Sequence, residues 1–332
     1  MSEDVPSNIL TLQFVGTAPA IPTPKPRQTD DVDPATYVPN KMTEEQRTTL
    51  RSAGVKVSDF LANMPKMPAP LDVANEASAN MRHYRTANGS TRSYDMAKTE
   101  EILAQADVRT PVSMALDDVT RVFVSQVIAT AATSGPGVSQ YLAINAVSTN
   151  PGIRGTNWFP MYSLDAKWKY ALGGFDFAPA AMVVRDGVFI TVRYRIFIYD
   201  RYNWDEDKSI HLPFIDPKVF LGSDDFEELS ILRPGAQSWE AAGASTSPNP
   251  YIYESQDYIE NAAGKWVPGP NGMGVHDALF GNLINEDLAA SYDINGAGQI
   301  HTYRVAVSDV DISAAIDGEI PAKTSHSAGA GE

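Results

Sequence analysis

The chain has 332 residues, 43% of them hydrophobic and 20% charged, so it can bury a substantial core in one large domain or two modest ones. Its formal net charge of -15 repels phosphate backbones and anionic lipid, and its scattered Lys and Arg residues form no stripe to offset that field, which argues against a nucleic-acid partner. With no cysteine, disulfides, thiolate metal ligands and cysteine nucleophiles are excluded together.

Glu3 and Asp4 stand where an export signal is basic, and the apolar residues 9–15 are too short for an export core. Synthesis in the cytoplasm without a classical signal peptide is therefore expected, with a specialised system as the route for any export. The longest apolar run, Val119 to Ala132, is interrupted by Arg121, Ser125, Gln126 and Thr130, so no transmembrane segment is expected. Pro19, Pro22, Pro24, Pro26, Pro34 and Pro39 make residues 1–42 a flexible Pro-rich arm by composition. Thr43 and Gln46 match a capping box and open a short helix that Gly54 is expected to stop, and Val57 to Met64 reads as a second helical piece. Val73, Ala77, Met81 and Tyr84 recur at helical spacing until Asn88-Gly89 breaks the chain. Pro111 can begin a helix whose apolar face carries Met114, Leu116, Val119, Val122, Phe123 and Ile128. Residues 43–133 thus form a helical region.

From Tyr141 onward β-branched and aromatic residues dominate between closely spaced turn residues, and residues 141–310 read as a β-rich domain. The predicted fold class is α+β, an amino-terminal helical part with an antiparallel β-rich carboxyl part. The clearest strand covers residues 188–199, preceded by the hairpin dipeptide Asp186-Gly187 and partnered by Ala181 to Val184. Alternation puts Val192, Tyr194, Ile196 and Ile198 on a core face and Arg193, Arg195, Phe197 and Tyr199 on a mixed one. Residues 234–274, rich in Gly, Pro, Ser and Asn, read as long connections around one short ordered piece at 251–259. Leu279, Leu283, Ile284 and Leu288 form a helical stripe, Ile300 to Val307 alternates like a closing strand, and residues 313–332 have the composition of a disordered tail.

The densest polar cluster follows the strongest strand: Asp200-Arg201-Tyr202-Asn203-Trp204-Asp205-Glu206-Asp207-Lys208. Asn203, Asp205 and Asp207 have the alternate spacing of calcium-loop oxygen ligands; no cofactor is expected, and a cation bound there would be calcium or magnesium, calcium first, before zinc. An EF-hand is ruled out, because Lys208 and Phe214 occupy the positions that need Gly and Glu. A salt-bridged turn, with Lys208 neutralising a carboxylate, is preferred over a metal site. Asp200 and Asp205 could act as acid and base with His211 as proton shuttle, provided folding gathers them. His83, His211, His276, His301 and His326 stand singly, without zinc-ligand spacing. No nucleophile elbow or phosphate loop occurs, and Gly272-Met273-Gly274, before His276-Asp277, reads as turn residues. Trp158, Phe159, Tyr162, Trp168, Tyr170, Phe175 and Phe177 could line a sugar or lipid platform, but core packing is the stronger reading.

The block from Tyr199 to Asp205, with Lys208 and Ser209, resembles the D-R-Y-N-W-D-x-x-K-x-[VI] block of a bacterial domain of uncharacterised activity found in toxin-type proteins. Leu288-Ala289-Ala290-Ser291-Tyr292-Asp293-Ile294-Asn295-Gly296 is similar to its G-L-A-x-x-[YF]-D-[IV]-x-G block, with Asp287 in place of the first Gly. Trp168 to Phe175 is similar to its W-x-x-A-x-G-x-[FY] strand, and His83-Tyr84 with Asn88-Gly89 to its H-Y-L-x-G-x-G opening. The likeness spans about residues 80–308. Ile284 and Asn285 stand near the place of a His-Arg pair frequent in that domain, so it implies no activity tied to the pair. The resemblance implies a toxin- or effector-associated binding or structural domain for which no catalysis is demonstrated, working with a protein partner or assembly. The alternatives are a hydrolase using Asp200 and Asp205, and a component of a virion or contractile injection particle.

Overall fold

A computed structural model describes residues 42–64, 74–86, 88–105, 116–142, 159–162, 168, 171–204, 209–234, 250–260 and 266–310. Helices α1 (Glu44–Ala62) and α2 (Ala74–Tyr84) lead into β1 (Arg92–Tyr94), α3 (Met96–Gln105) and α4 (Leu116–Thr133). Strands β2 (Gly137–Leu142), β3 (Phe159–Tyr162), β4 (Gly174–Arg185), β5 (Phe189–Tyr202) and β6 (Ser209–Pro213) follow. Then come α5 (Pro217–Leu221), α6 (Ser223–Ile231), β7 (Ile252–Glu260), β8 (Trp266–His276), α7 (Ala278–Asn285), β9 (Tyr292–Ala297) and β10 (His301–Ala306). The fold class is α+β. Helix α2, the 188–199 strand and the closing strand lie where their periodicity put them, whereas α3 was not anticipated. No helix among the described residues is long and apolar enough to cross a membrane. The expected arm at 1–42 and tail at 313–332 lie, Met42 apart, outside the described residues, as do Pro111 and Met114 ahead of α4.

The chain divides into two compact units, each made of separated stretches. Among the described residues, one takes Ser93–Asp200 and everything from Ile294 on, while the other takes everything up to Arg92 together with Arg201–Asp293.

The first unit carries most of a seven-stranded sheet ordered β1-β9-β5-β4-β2, with β10 also on β5 and β3 also on β4. Its centre is the β4–β5 hairpin, an antiparallel pair running from Asp176 opposite Tyr199 to Arg185 opposite Ile190. The predicted Asp-Gly turn closes it: Gly187 has φ 101, and Asp186 Oδ1 accepts from the Val188 and Phe189 amides at 3.2 and 2.8 Å. Phe123, Val127, Ile128 and Ala131 of α4 pack on Ala181, Val183, Ile190 and Val192 of one sheet face, with Tyr194, Val305 and Val307 at the margin. The expected mixed face of β5 is more buried than alternation suggested, since Phe197 and Tyr199 are buried beside Ile196 and Ile198. Trp168, Phe175 and Phe177 are core residues, and Trp168 meets Tyr94 with ring centroids 5.7 Å apart. Phe159 and Tyr162 lie in β3, whereas Trp158 and Tyr170 fall outside the described residues.

The second unit sets α1, α2, α5, α6 and α7 beside a three-stranded antiparallel sheet ordered β6-β8-β7. The capping box at α1 is complete, with Thr43 N donating to Gln46 Oε1 at 2.9 Å and Gln46 N to Thr43 Oγ1 at 3.2 Å. Two expectations are corrected here. Gly54 does not stop α1, which runs on to Ala62; a Cβ at Gly54 would lie 3.1 Å from both Leu279 O and Leu283 Cδ2, so this glycine lets α7 approach closely. Nor is Gly272-Met273-Gly274 a turn: it is the middle of β8, bonded to β6 on one side and β7 on the other. A side chain at Gly272 would run into Leu212 O, and one at Gly274 into the Tyr253 ring. Glycine in this region therefore marks close approach of neighbouring strands, and residues 266–274 are sheet where connections were expected.

Candidate functional site

Strand β5 leaves the sheet as Asp200-Arg201-Tyr202, and the motif residues that follow from Arg201 belong to the second unit. There the two halves of the resemblance, about ninety residues apart in sequence, meet (201 to 293). Arg201 Nη1 donates to Asp293 Oδ1 at 3.0 Å. One residue along in each strand, Tyr202 stacks on Tyr292 with centroids 5.1 Å apart and planes 27° from parallel.

The His83-Tyr84 pair of α2 completes the cluster. Tyr84 meets Tyr202 edge-on at 5.9 Å and Trp204 at 6.5 Å, while His83 stands edge-on to Tyr292 at 4.3 Å. Trp204 lies 4.5 Å from Phe280 of α7. The buried hydroxyls serve as donors: Tyr84 Oη bonds Phe280 O and Tyr292 Oη bonds Asn80 O, each at 3.0 Å. Two bonds finish the closure, one between backbones from Ala290 N to Tyr84 O at 3.0 Å and one from the Arg85 side chain, Nη1 to Leu288 O at 2.9 Å. Tyr84, Tyr292 and Phe280 are fully buried, Tyr202 nearly so, and Trp204 half-buried. Each aromatic pair of this kind contributes about 0.5–1.5 kcal/mol beyond its area burial, whereas the Arg201–Asp293 pair, with Asp293 40% exposed, adds orientation more than stability.

Asp200 is buried near the end of the β5 run assigned to the first unit, and His211 lies in β6 of the second. Among the described residues, neither ring nitrogen of His211 has a hydrogen-bond partner. Asn203 follows the aromatic cluster and is half-buried, while Asp205, Asp207 and Lys208 lie outside the described residues. Among the described residues, no group of three or more His, Asp or Glu is placed to hold a metal ion. Leu288 and Ala289 form the link between α7 and β9, with Ala289 buried. Gly296 belongs to the first unit, where a side chain would strike Thr99 Oγ1 and lie 3.0 Å from Ile198 Cγ1.

Sequence reasoning missed Asn80, Arg85 and Phe280, whose roles come from tertiary placement. It also passed over His276 and Asp277, both buried, where His276 Nδ1 lies 2.9 Å from Asp277 Oδ1 and accepts from Ala278 N at 3.1 Å. That ring caps α7 in place of the Asp277 side chain, which makes no cap bond. A His-Asp pair directly ahead of an apolar helical stripe was the available signal. Beside it, burial alone pushes the Tyr251 phenol far above the ordinary tyrosine range.

No family model, curated protein or solved structure matches this chain.

Proposed function

We propose that the protein is a toxin- or effector-associated binding and structural domain that works without catalysis and with a protein partner. One observation supports this reading above the others: Arg201, Tyr202, Trp204, Tyr292 and Asp293 bond and stack on one another. With Tyr84 they hold three chain segments together, and the Tyr84 and Tyr292 hydroxyls are committed to backbone carbonyls. Groups occupied in this way position a surface well and are poorly placed to move protons on a substrate. The domain would be made in the cytoplasm and leave it, where it does, through a specialised secretion system.

The test compares two substitutions in the full chain, expressed in a bacterial host and as purified protein. Asp205→Ala is expected to leave host growth, thermal midpoint and the absence of calcium-binding heat unchanged. Growth inhibition by the parent chain that Asp205→Ala or Asp200→Asn relieves, with the fold retained, would establish the hydrolase reading instead. Micromolar calcium binding abolished by Asp205→Ala would establish a metal-dependent site.

A further inference from the structure

The turn between β8 and α7 sets one ring nitrogen against two partners. His276 Nδ1 accepts from Ala278 N at 3.1 Å and lies 2.9 Å from Asp277 Oδ1. The bond from Ala278 needs a lone pair on Nδ1, whereas a bond to the Asp277 carboxylate needs a proton there. A single nitrogen cannot serve both, so the helix cap and the ion pair are alternatives. His276, Asp277 and Ala278 are all buried, so bulk water does not replace whichever partner is given up.

The elements around the pair present few groups that could take over either role. Tyr251 of β7, whose carbonyl accepts from His276 N at 3.0 Å, has a phenol that burial pushes far above the ordinary tyrosine range, so it stays neutral. Strand β6 presents Ser209 opposite His276, and α7 carries no ionisable side chain. On α1, which meets α7 at Gly54, Lys56 bonds Leu221 O at 3.3 Å, Asp59 pairs with Arg85 at 3.3 Å and Arg51 pairs with Glu286 at 3.5 Å. From α2, the Tyr84 hydroxyl donates to Phe280 O at 3.0 Å.

The capped turn supports more than itself. Phe280, two residues past Ala278, packs on Trp204 with centroids 4.5 Å apart, and Leu279 seats against Gly54 of α1. A change at Nδ1 thus reaches the aromatic cluster and α1 through one turn of helix.

We propose that His276 and Asp277 form a proton-operated latch on α7. With Nδ1 unprotonated, the ring caps the helix. A proton taken up at Nδ1 commits the imidazolium to the Asp277 carboxylate, deprives the Ala278 amide of its acceptor and loosens the first turn. Acidification therefore releases Phe280 from Trp204 ahead of global unfolding. The latch adds acid responsiveness to the domain and does not depend on whether that domain is catalytic.

Hydrogen exchange of the full chain, corrected for intrinsic rates, tests it together with nitrogen-15 spectra of the imidazoles. Between about pH 8 and about pH 5, protection of the Ala278 and Phe280 amides should fall by about tenfold or more while the β7 and β8 amides hold, and His276 Nδ1 should gain its proton over the same range. His276→Asn offers Oδ1 to the Ala278 amide and takes no proton, so its protection should stay level. Asp277→Asn keeps the ring and removes the counter-charge, so the fall should move to lower pH. Level protection in the parent, a His276→Asn chain that loses protection as the parent does, or an Nδ1 still unprotonated at about pH 5 would each overturn the latch. If His276→Asn does not fold, Asp277→Asn decides, and a fall at unchanged pH overturns it. Growth inhibition relieved by Asp205→Ala tests the non-catalytic reading separately and leaves these outcomes untouched.

Discussion

Asp287 sits at φ 54, a left-handed conformation, just past the end of α7. Leu288 N bonds Leu283 O at 2.9 Å and Asp287 N bonds Ile284 O at 3.1 Å, which together make a Schellman closure with Asp287 at the position that favours glycine. Asp is tolerated there at a cost, so Asp287→Gly should stabilise the protein by about 0.5–1 kcal/mol and Asp287→Val should destabilise it by about 1 kcal/mol or more, read from urea midpoints. It is also the position at which the block Leu288 to Gly296 departs from the motif it resembles, with Asp in place of the first Gly. Trp204 tests the aromatic cluster in the same way. Its ring packs on Phe280 at 4.5 Å and meets Tyr202 and Tyr84 edge-on, so Trp204→Ala should lower stability by about 3 kcal/mol, at the lower end for aromatic truncation because the ring is only half-buried. A denaturation midpoint left unchanged would mean the indole braces nothing.

At the scale of elements, β8 shows why composition misled. Its segment 268–274 reads Pro-Gly-Pro-Asn-Gly-Met-Gly, which by residue type is a loop, yet it is the central strand of the second sheet. Gly272 and Gly274 answer to Leu212 and Tyr253 on neighbouring strands, partners that no local window contains. Gly274→Ala should therefore cost about 2 kcal/mol or more, because the new methyl would enter the Tyr253 ring. Gly135→Ala is the control: a Cβ there meets nothing within 4 Å, and its midpoint should stay within about 0.5 kcal/mol of the parent. Elements whose signal is internal were legible, namely the α1 capping box, the Asp-Gly hairpin and the β5 alternation. Where the signal lies in a distant partner, as at Gly54 and β8, sequence pattern pointed the wrong way. The aromatic cluster falls between these cases. Its blocks stood out in sequence, but their pairing of 201 with 293 and 202 with 292 is a tertiary fact.

For the whole molecule, the interleaving of the two units decides what can be cut. The segment Ser93–Asp200 holds α4, β4 and nearly all of β5, yet Val305 and Val307, which flank its core, arrive only after residue 294. A fragment of residues 93–200 should therefore lack cooperative thermal unfolding, and one in which residues 294–310 are fused after residue 200 should recover it; equal behaviour of the two would mean the closing strand is dispensable. The same layout governs events on the ribosome. Helix α1 is complete at residue 62, but the surface that Gly54 seats against, Leu279 and Leu283, is about 220 residues further along. At roughly 5–20 residues per second, the side of the helix that meets α7 waits on the order of 10–45 seconds for its partner. Both units close together, late, as the last stretch of chain emerges, and a chaperone that holds the nascent amino-terminal helices would raise the yield of folded protein more than one that acts after release.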